Sequence, residues 1–548
     1  MPAQQFDTPP VLIAGAGPAG LIAALVLLRN GVPVRLIEKN DFLHPGSRGC
    51  GIQPRTMELL HQLGATDLVR ALYPLGSNRS YRFGTLDIVR DEPFVELKTS
   101  TVHLPYPNPL MIGQCGFEGY IRSHLAKYGC EPELGTELTT FEQDENGVTA
   151  HLSKNDGNKE TVHVQYLIGT DGARGATRKG LGLSFTGNTP DTFRMLVGDV
   201  RMTCDKLDYN HWHRFGDFKS KTVMLRPMRE VGVDNDGWAL MIGGPEIDID
   251  KLLDPEGSKE VIFAVIQEAV PAEIQFKELV WKGQWKPNMR MVDKFGVGRV
   301  FVAGDAAHVH SPTGGQGLNS SVQDAINLSW KLALVLKNLS PPSLLDSYSA
   351  ERLPVIAEML NITTELFKKT ASGADDAWKR EDRLRMLGVN YRRSPIVLEE
   401  RSTGLDSESM AAYGDAVEGT TPVAGDRAPD AARLVDAEGK EYTFFDLFRV
   451  THHSVLIFAS DVNSAKSILD SLQKHSEDAI RPIVVLPQGA SGGSGGALAL
   501  VDRDGHAYSG YKATEGETVV VILRPDGFVG AVVNDVEGVG RYLQKVFF

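Results

Sequence analysis

Cysteine is scarce in this chain. Its 548 residues hold four, Cys50, Cys115, Cys130 and Cys204, all in the first half and none in a C-x-x-C pair. That excludes a disulfide framework and a zinc site built on cysteine pairs, and it fits free thiols in a reducing, cytoplasmic compartment. Positive charge is also short. With 57 Lys and Arg against 70 Asp and Glu the net charge is −13, which argues against nucleic acid or an anionic membrane as the main partner. The total does not fix the field inside a pocket, so an anionic cofactor stays compatible with it. Residues 1–10 are polar and lack a basic leader, so no signal peptide is expected. No fixed-period repeat occurs. One uncharged run, residues 11–28, reaches the length of a membrane span, but Gly15, Gly17, Pro18 and Gly20 near its start make it a strand, a glycine turn and a buried helix. No membrane span is expected.

What is present is a globular composition, 42% hydrophobic and 23% charged, in a chain long enough for several cores. Residues 11–14 read as an apolar strand, 18–30 as a helix stopped by Gly31, and 34–38 as a second strand, which together open a βαβ unit. A helix is expected at 55–63 and another at 119–128, with strands of a meander at 137–152 and 161–168. Residues 190–290 alternate and are rich in Trp, His and Met, the pattern of a mostly antiparallel sheet. A parallel-type strand and a long helix return at 299–338. The fold class is therefore α/β, with a discontinuous Rossmann-like nucleotide-binding domain (1–76, 102–188 and 291–340) and an inserted, mainly antiparallel substrate sheet (77–101 and 189–290). A helical segment (341–401), a Gly-, Ser- and Pro-rich linker (402–430) and a small α/β domain (431–548) follow. The last unit should run strand 454–459, helix 463–475, strand 482–486 and a hairpin-like end, with a flexible loop at 489–496.

Three motifs carry chemistry. In Gly15-Ala16-Gly17-Pro18-Ala19-Gly20, between a strand and a helix, glycine lets the backbone turn and approach a pyrophosphate at the helix N-terminus. Glu38, ending the second strand beside Lys39, can bind a ribose hydroxyl pair. This motif alone does not separate FAD from NAD. In Gly304-Asp305-Ala306-Ala307-His308, Asp305 can accept hydrogen bonds from a ribitol chain. The following loop, Pro312 through Gly315, Gly317, Leu318 and Asn319, opens a helix whose N–H groups would face the pyrimidine edge of a flavin. In Gly169-Thr170-Asp171-Gly172-Ala173-Arg174, an Asp-Gly turn follows an apolar strand and faces phosphate, or is a turn alone.

Together these motifs resemble the class A flavoprotein monooxygenases, the aromatic hydroxylase family. The resemblance runs over about residues 10–400 and extends to Leu387-Gly388-Val389-Asn390-Tyr391, which is similar to the larger, phenol-hydroxylase-like branch. The last 120 or so residues look like that branch's thioredoxin-like domain; they contain no cysteine, so thiol–disulfide exchange is excluded and packing, dimer formation or a lid remains. The resemblance implies FAD as cofactor, NADPH or NADH as co-substrate, O2, and a small aromatic substrate. It implies that Gly15, Gly17, Gly20 and Glu38 hold the ADP half of FAD. Arg48 and Gln114 would contact the flavin, Asp171 and Gly172 serve both cofactors, Asp305 bind ribitol, and Pro312 with the loop to Asn319 wall the ring system. Two departures stand out. Gly175 replaces a usual serine, and Cys50 falls where relatives can carry an acid, a poor base since a free thiol has a pKa of about 8.5.

The implied reaction is hydroxylation of a phenolic or polycyclic ring through a flavin C4a-hydroperoxide. A Baeyer–Villiger oxidation or epoxidation, a reductase or dehydrogenase not using O2, and a non-catalytic FAD protein are the alternatives. For the substrate cavity the inserted sheet offers Tyr81, His211, His213, Phe215, Met224, Arg226 and Trp238. His211 and His213 share a strand face and read as a polar sheet face, as substrate contacts with His213 catalytic beside Arg48 and Pro312, or as a zinc pair lacking a third ligand. No metal is expected.

Overall fold

The computed structural model describes residues 9–47, 49–189, 193–311, 314–372, 381–402, 411–414, 419–490 and 497–548. Arg48, Pro312 and most of the 489–496 loop lie outside the described residues. Strand Val11–Ala14 is wholly apolar and wholly buried because it sits at the centre of a six-stranded sheet. Parallel to it on one side run Val34–Glu38 and Glu133–Leu134, and on the other Tyr166–Gly169 and Val300–Val302. The strand order reverses at Val11–Ala14, so a crevice opens beyond Ala14 and Gly169, where doubly wound sheets bind ligands. Helix Pro18–Arg29, with an apolar face all round, packs beneath long helix Gly317–Leu336. The uncharged run at 11–28 is thus a buried strand, turn and helix, and among the described residues no helix is long and apolar enough to cross a membrane.

The inserted sheet has seven strands in the order Gln275–Trp285, Met195–Thr203, Gly237–Gly243, Thr222–Pro227, His211–Gly216, Ser77–Tyr81 and Ile88–Pro93. All neighbours are antiparallel except His211–Gly216 with Ser77–Tyr81. Two helices, Ile249–Leu253 and Ser258–Ala269, cover its back face. They correct the expectation of sheet throughout 190–290: Ile262 and Ile266, four apart, form the buried stripe of a helix rather than the alternation of a strand.

The C-terminal sheet has eight strands with His453–Phe458 and Val519–Leu523 fully buried near its middle. One face shares the core of the nucleotide-binding unit; the other packs on Phe444, Phe448, Tyr508 and Tyr511. Two sequence expectations need correction. The expected hairpin is there, Val519–Leu523 with Val529–Val533, but a helix the sequence reading lacked, Val536–Val546, follows it, with Val539, Tyr542, Leu543 and Val546 turned to the core. Residues 423–430 are not an open linker. Val423, Ala424 and Ala428 are buried, the Gly425 N–H donates to the Val529 carbonyl while the Val529 N–H donates to that of Asp426, and Arg427 binds the buried Glu58 at 2.7 Å.

Candidate active site

The glycine turn is built by crowding. Gly15 has φ +107°, and a Cβ there would lie 2.4 Å from the Thr170 carbonyl oxygen. A Cβ on Gly20 would meet the Gly15 oxygen at 2.0 Å, while one on Gly17 would meet nothing within 4 Å. Two glycines therefore close the strand ends together and the third leaves open space in front of the helix. Helix Pro18–Arg29 has no side-chain cap and no acid in its first turn, so its N–H groups are left for an anion. Glu38 Oε2 accepts from the Ala16 N–H at 3.1 Å, which holds its carboxylate over the turn; Lys39 beside it is exposed.

The second motif forms a turn, Gly304–Ala306, with Asp305 exposed on it. The turn is held from below by Asp324, a residue that sequence reading missed. Asp324 is fully buried and accepts from the Gly304 N–H at 3.0 Å, His308 Nε2 at 2.7 Å and Arg352 Nε at 2.7 Å. Arg352 and His308 beside Asp324 keep its carboxyl below the usual carboxylate range despite burial. The signal was available: Asp324 is the only acid in a 20-residue helix that is buried almost throughout.

The third motif answers the Gly175 departure. Asp171 Oδ2 accepts from the Thr177 N–H and hydroxyl, both at 2.9 Å, and caps the short helix Ala176–Gly180. A Cβ on Gly175 would sit 2.0 Å from the Asp171 carboxyl carbon, so this arrangement of Asp171 needs glycine there. Asp171 Oδ1 is buried without a hydrogen-bond partner, and burial raises the acid's pKa. An uncapped helix start, an acid at the ribose position, an orphaned acceptor and a turn presenting Asp305 all converge on the sheet's switch point. That set of groups fits FAD.

A cavity of about 470 Å³ lies between this unit and the front of the inserted sheet. Its floor is Gly49, Cys50, Gly51 and Gln53 on one side and Gly314 and Gly315 on the other. Asn319 ties the two together: Oδ1 accepts from the Gln53 N–H at 2.8 Å, and Nδ2 donates to Gly51 at 2.8 Å and Gly315 at 2.6 Å. Gly315 has φ +63° and Gly314 +96°, turns that bring the loop to the start of Gly317–Leu336, which is uncapped and acid-free in its first turn. Gly317 and Leu318 are half-buried there. Gln114 starts helix Gln114–Ala126; its N–H donates to Ser47 Oγ at 3.1 Å and its amide to Glu118 at 2.8 Å.

The walls are aromatic and sulfur-rich, with Phe193, Trp212, Trp281, Trp285 and Phe367 beside Met195, Met224 and Met241. Met224 and Arg226 line the cavity, as sequence reading expected. Arg226 lies 4.9 Å from the Trp212 ring, its Nε has no hydrogen-bond partner, and among the described residues no carboxylate forms an ion pair with it. Cys50 is buried, and burial pushes its thiol pKa up, so it stays protonated and is no base. Asp199 was not anticipated. It is fully buried at the cavity edge, its Oδ2 accepts from the Ser47 N–H and Trp281 Nε1, both at 2.6 Å, and its Oδ1 has no partner. Burial raises its pKa to about 6.

The other sheet side chains expected in the cavity lie elsewhere. His213 is fully buried on the back of the sheet, bonded to the Tyr81 hydroxyl at 3.0 Å and the Asp208 carbonyl at 2.8 Å, so it reaches no substrate. Trp238 is on the same back face, with Nε1 donating to Met202 at 3.2 Å, and Tyr81 and Phe215 stack there as well. Register explains this: His213 pairs with Leu225 and hence with Leu240, the row that faces the helices, whereas Met224 and Arg226 belong to the other row. His211 lies at the rim of a second cavity, held by Asp208 at 2.6 Å and Arg79 at 2.8 Å. Among the described residues no three His, Cys, Asp or Glu side chains are grouped to hold a metal ion.

Comparison with known proteins places these features in a family. The family described as "FAD binding domain" matches residues 8–363. A flavin-dependent monooxygenase of Mycobacteroides abscessus is 31% identical over 549 residues, covering 98% of this chain and 99% of that protein. Pentachlorophenol 4-monooxygenase of Sphingobium chlorophenolicum is 29% identical over 557 residues, covering 97% and 94%. The crystal structure of aklavinone-11 hydroxylase with FAD and aklavinone superposes with a TM-score of 0.78 at 25% identity, over 99% of this chain and 100% of that one.

Proposed function

The chain belongs to the class A flavoprotein monooxygenases, and from that premise we propose that this FAD-dependent hydroxylase acts on a phenolic or polycyclic aromatic compound bound in the 470 Å³ cavity. The observation that carries the proposal is the cavity itself: an aromatic-walled chamber whose floor is the Gly49–Gln53 and Gly314–Gly315 pair knotted by Asn319. The relatives' names point the same way, to pentachlorophenol and to aklavinone.

The residues divide the work as follows. Gly15, Gly17, Gly20, Glu38 and Lys39 hold the ADP half of FAD; Asp305 takes hydroxyls of the ribitol chain; Asp171 serves both FAD and the nicotinamide co-substrate; Gln114 and the Gly315–Asn319 loop meet the ring system. Arg48 and Pro312, which the sequence resemblance assigns to the flavin, keep that assignment as a proposal. Bound FAD, reduced by NAD(P)H, supplies the chemistry that activates O2. The protein positions the ring and keeps water out with its apolar walls. Arg226 lines the cavity and, as a cation in an apolar chamber, favours the phenolate over the phenol. The phenolate is the electron-rich form that accepts oxygen. Cys50, kept as a thiol, takes no proton from it. The C-terminal unit, proposed to be thioredoxin-like, serves packing.

The test is O2 consumption by the FAD-loaded protein with NADH or NADPH and a panel of phenols, ketones and alkenes. Stimulated uptake with a hydroxylated product is expected for phenols. Cofactor oxidation that persists without O2 and yields no oxygenated product would overturn the reading. The cofactor half has its own prediction. Gly20→Ala puts a methyl against the Gly15 carbonyl, an overpacking that costs about 1–3 kcal/mol. FAD titration followed by flavin fluorescence should show a Kd raised about tenfold or more; an unchanged Kd would mean that the turn does not hold the cofactor.

A further inference from the structure

A second cavity, of about 520 Å³, adjoins the first. The two share a wall of Leu75, Phe94, Val95, Pro109 and Trp212. Phe94 and Trp212 meet across that wall edge to face, with ring centroids 4.5 Å apart at 61°. Phe94 stands where the chain leaves Ile88–Pro93, the outermost strand of the inserted sheet, which pairs on one side only. Its backbone is thus held less firmly than the strands inside. Trp212 carries a buried indole N–H with no acceptor, and the Arg226 guanidinium of the main cavity rests on its ring. An unmade hydrogen bond at a seam between two cavities favours any state in which an oxygen atom reaches it. The outer part of the second cavity is polar, with Asn210 and Arg229 exposed and Arg229 lying 4.6 Å over the Tyr73 ring.

We propose that the second cavity is a vestibule: an elongated, multi-ring aromatic substrate enters through it, the Phe94–Trp212 pair parts as a gate, and the distal oxygen-bearing rings stay there beside Trp212 and Arg229. This deepens the hydroxylase reading and rests on it for the identity of the ligand. An apolar seam with a polar outer rim suits a flat ligand whose far end carries hydroxyl or carbonyl groups. The buried Trp212 N–H receives one of those oxygens as the gate opens, and the reacting ring passes on to Arg226.

The test fills the vestibule without touching the main cavity. Asn210→Trp places a large ring at the outer rim, and Asn210→Ser leaves the rim open as a control for damage to the fold. Alizarin, a three-ring dihydroxyquinone, and phenol serve as probes of the FAD-loaded protein. Calorimetric Kd values and NAD(P)H oxidation are both measured. In Asn210→Trp the preference for alizarin over phenol, taken as the ratio of their Kd values, should fall about tenfold, and in Asn210→Ser it should stay at the wild-type value. An unchanged ratio, an equal loss for both probes, or a raised KM for NAD(P)H alone would overturn the vestibule. If the Kd ratio falls as expected but neither probe stimulates NAD(P)H oxidation in the wild type, the vestibule stands and the hydroxylase reading falls.

Discussion

Arg524→Ala will destabilise the protein by about 3–5 kcal/mol, the cost of leaving a buried charge unpaired. Arg524 is 2% exposed and reaches from the C-terminal sheet into the nucleotide-binding unit. Its two terminal nitrogens donate to Glu351 at 2.6 and 2.8 Å, and Nε donates to Asp526 at 3.0 Å. Glu351 also accepts from Lys331 at 2.7 Å, Asn327 at 2.6 Å and Ser394 at 2.6 Å, and Asp526 accepts from Trp330 Nε1 at 3.0 Å. Two cations and two anions thus balance in a dry interface. Removing Arg524 leaves Glu351 and Asp526 facing Lys331 alone, whose pKa burial already lowers to about 8. The check is urea unfolding followed by far-UV circular dichroism. A loss below about 1 kcal/mol, the range of an exposed ion pair, would show that the cluster does not hold the units together. Lys331, Asn327 and Trp330 lie on the helix that begins at the flavin loop, so the variant should also bind FAD more weakly.

Asp199→Asn should change stability in a way that depends on pH. The folded pKa of Asp199 is raised to about 6 by burial, above the ordinary value of 3.8. A raised pKa means that the folded state holds the proton longer than the unfolded chain. The stability contributed by the protonated acid is complete below about pH 4 and is lost as pH rises through about 6. Asparagine cannot ionise and escapes that loss. The variant should match the wild type near pH 4 and exceed it above pH 7 by up to about 3 kcal/mol, two pKa units at 1.36 kcal/mol each. Urea midpoints at both pH values, with FAD saturating, measure the difference; the same offset at both would sink the assignment. The gain in stability should come with a loss of coupling between NAD(P)H oxidation and hydroxylation, because the carboxylate pins Ser47 and Trp281 on either side of the cavity.

What could be read in the sequence was what local chemistry determines. The Gly15–Gly20 turn, Glu38 and the Gly304-Asp305 motif lie where expected because each ends a strand whose apolar run and following glycine or acid mark it in the local sequence. Met224 and Arg226 were found, but His213 and Trp238 were not distinguished from them. A strand tells which residues share a face; it does not tell which face is covered, and that was decided by helices Ile249–Leu253 and Ser258–Ala269. Asp324 and Asp199 were missed for a related reason. Each is the single acid of its element, and its partners, Arg352 and Trp281, are 28 and 82 residues away.

The ion cluster around Arg524 also has a consequence for how the protein is made. Lys331 and Glu351 leave the ribosome long before Arg524, which follows Glu351 by 173 residues. Until then the pair lacks its second cation partner and the helix behind the flavin loop lacks its cover. Contacts of such long sequence separation form late. The Gly314–Asn319 loop should therefore become rigid only after Arg524 has been added, and a chain cut short before Arg524 should fail to retain the cofactor.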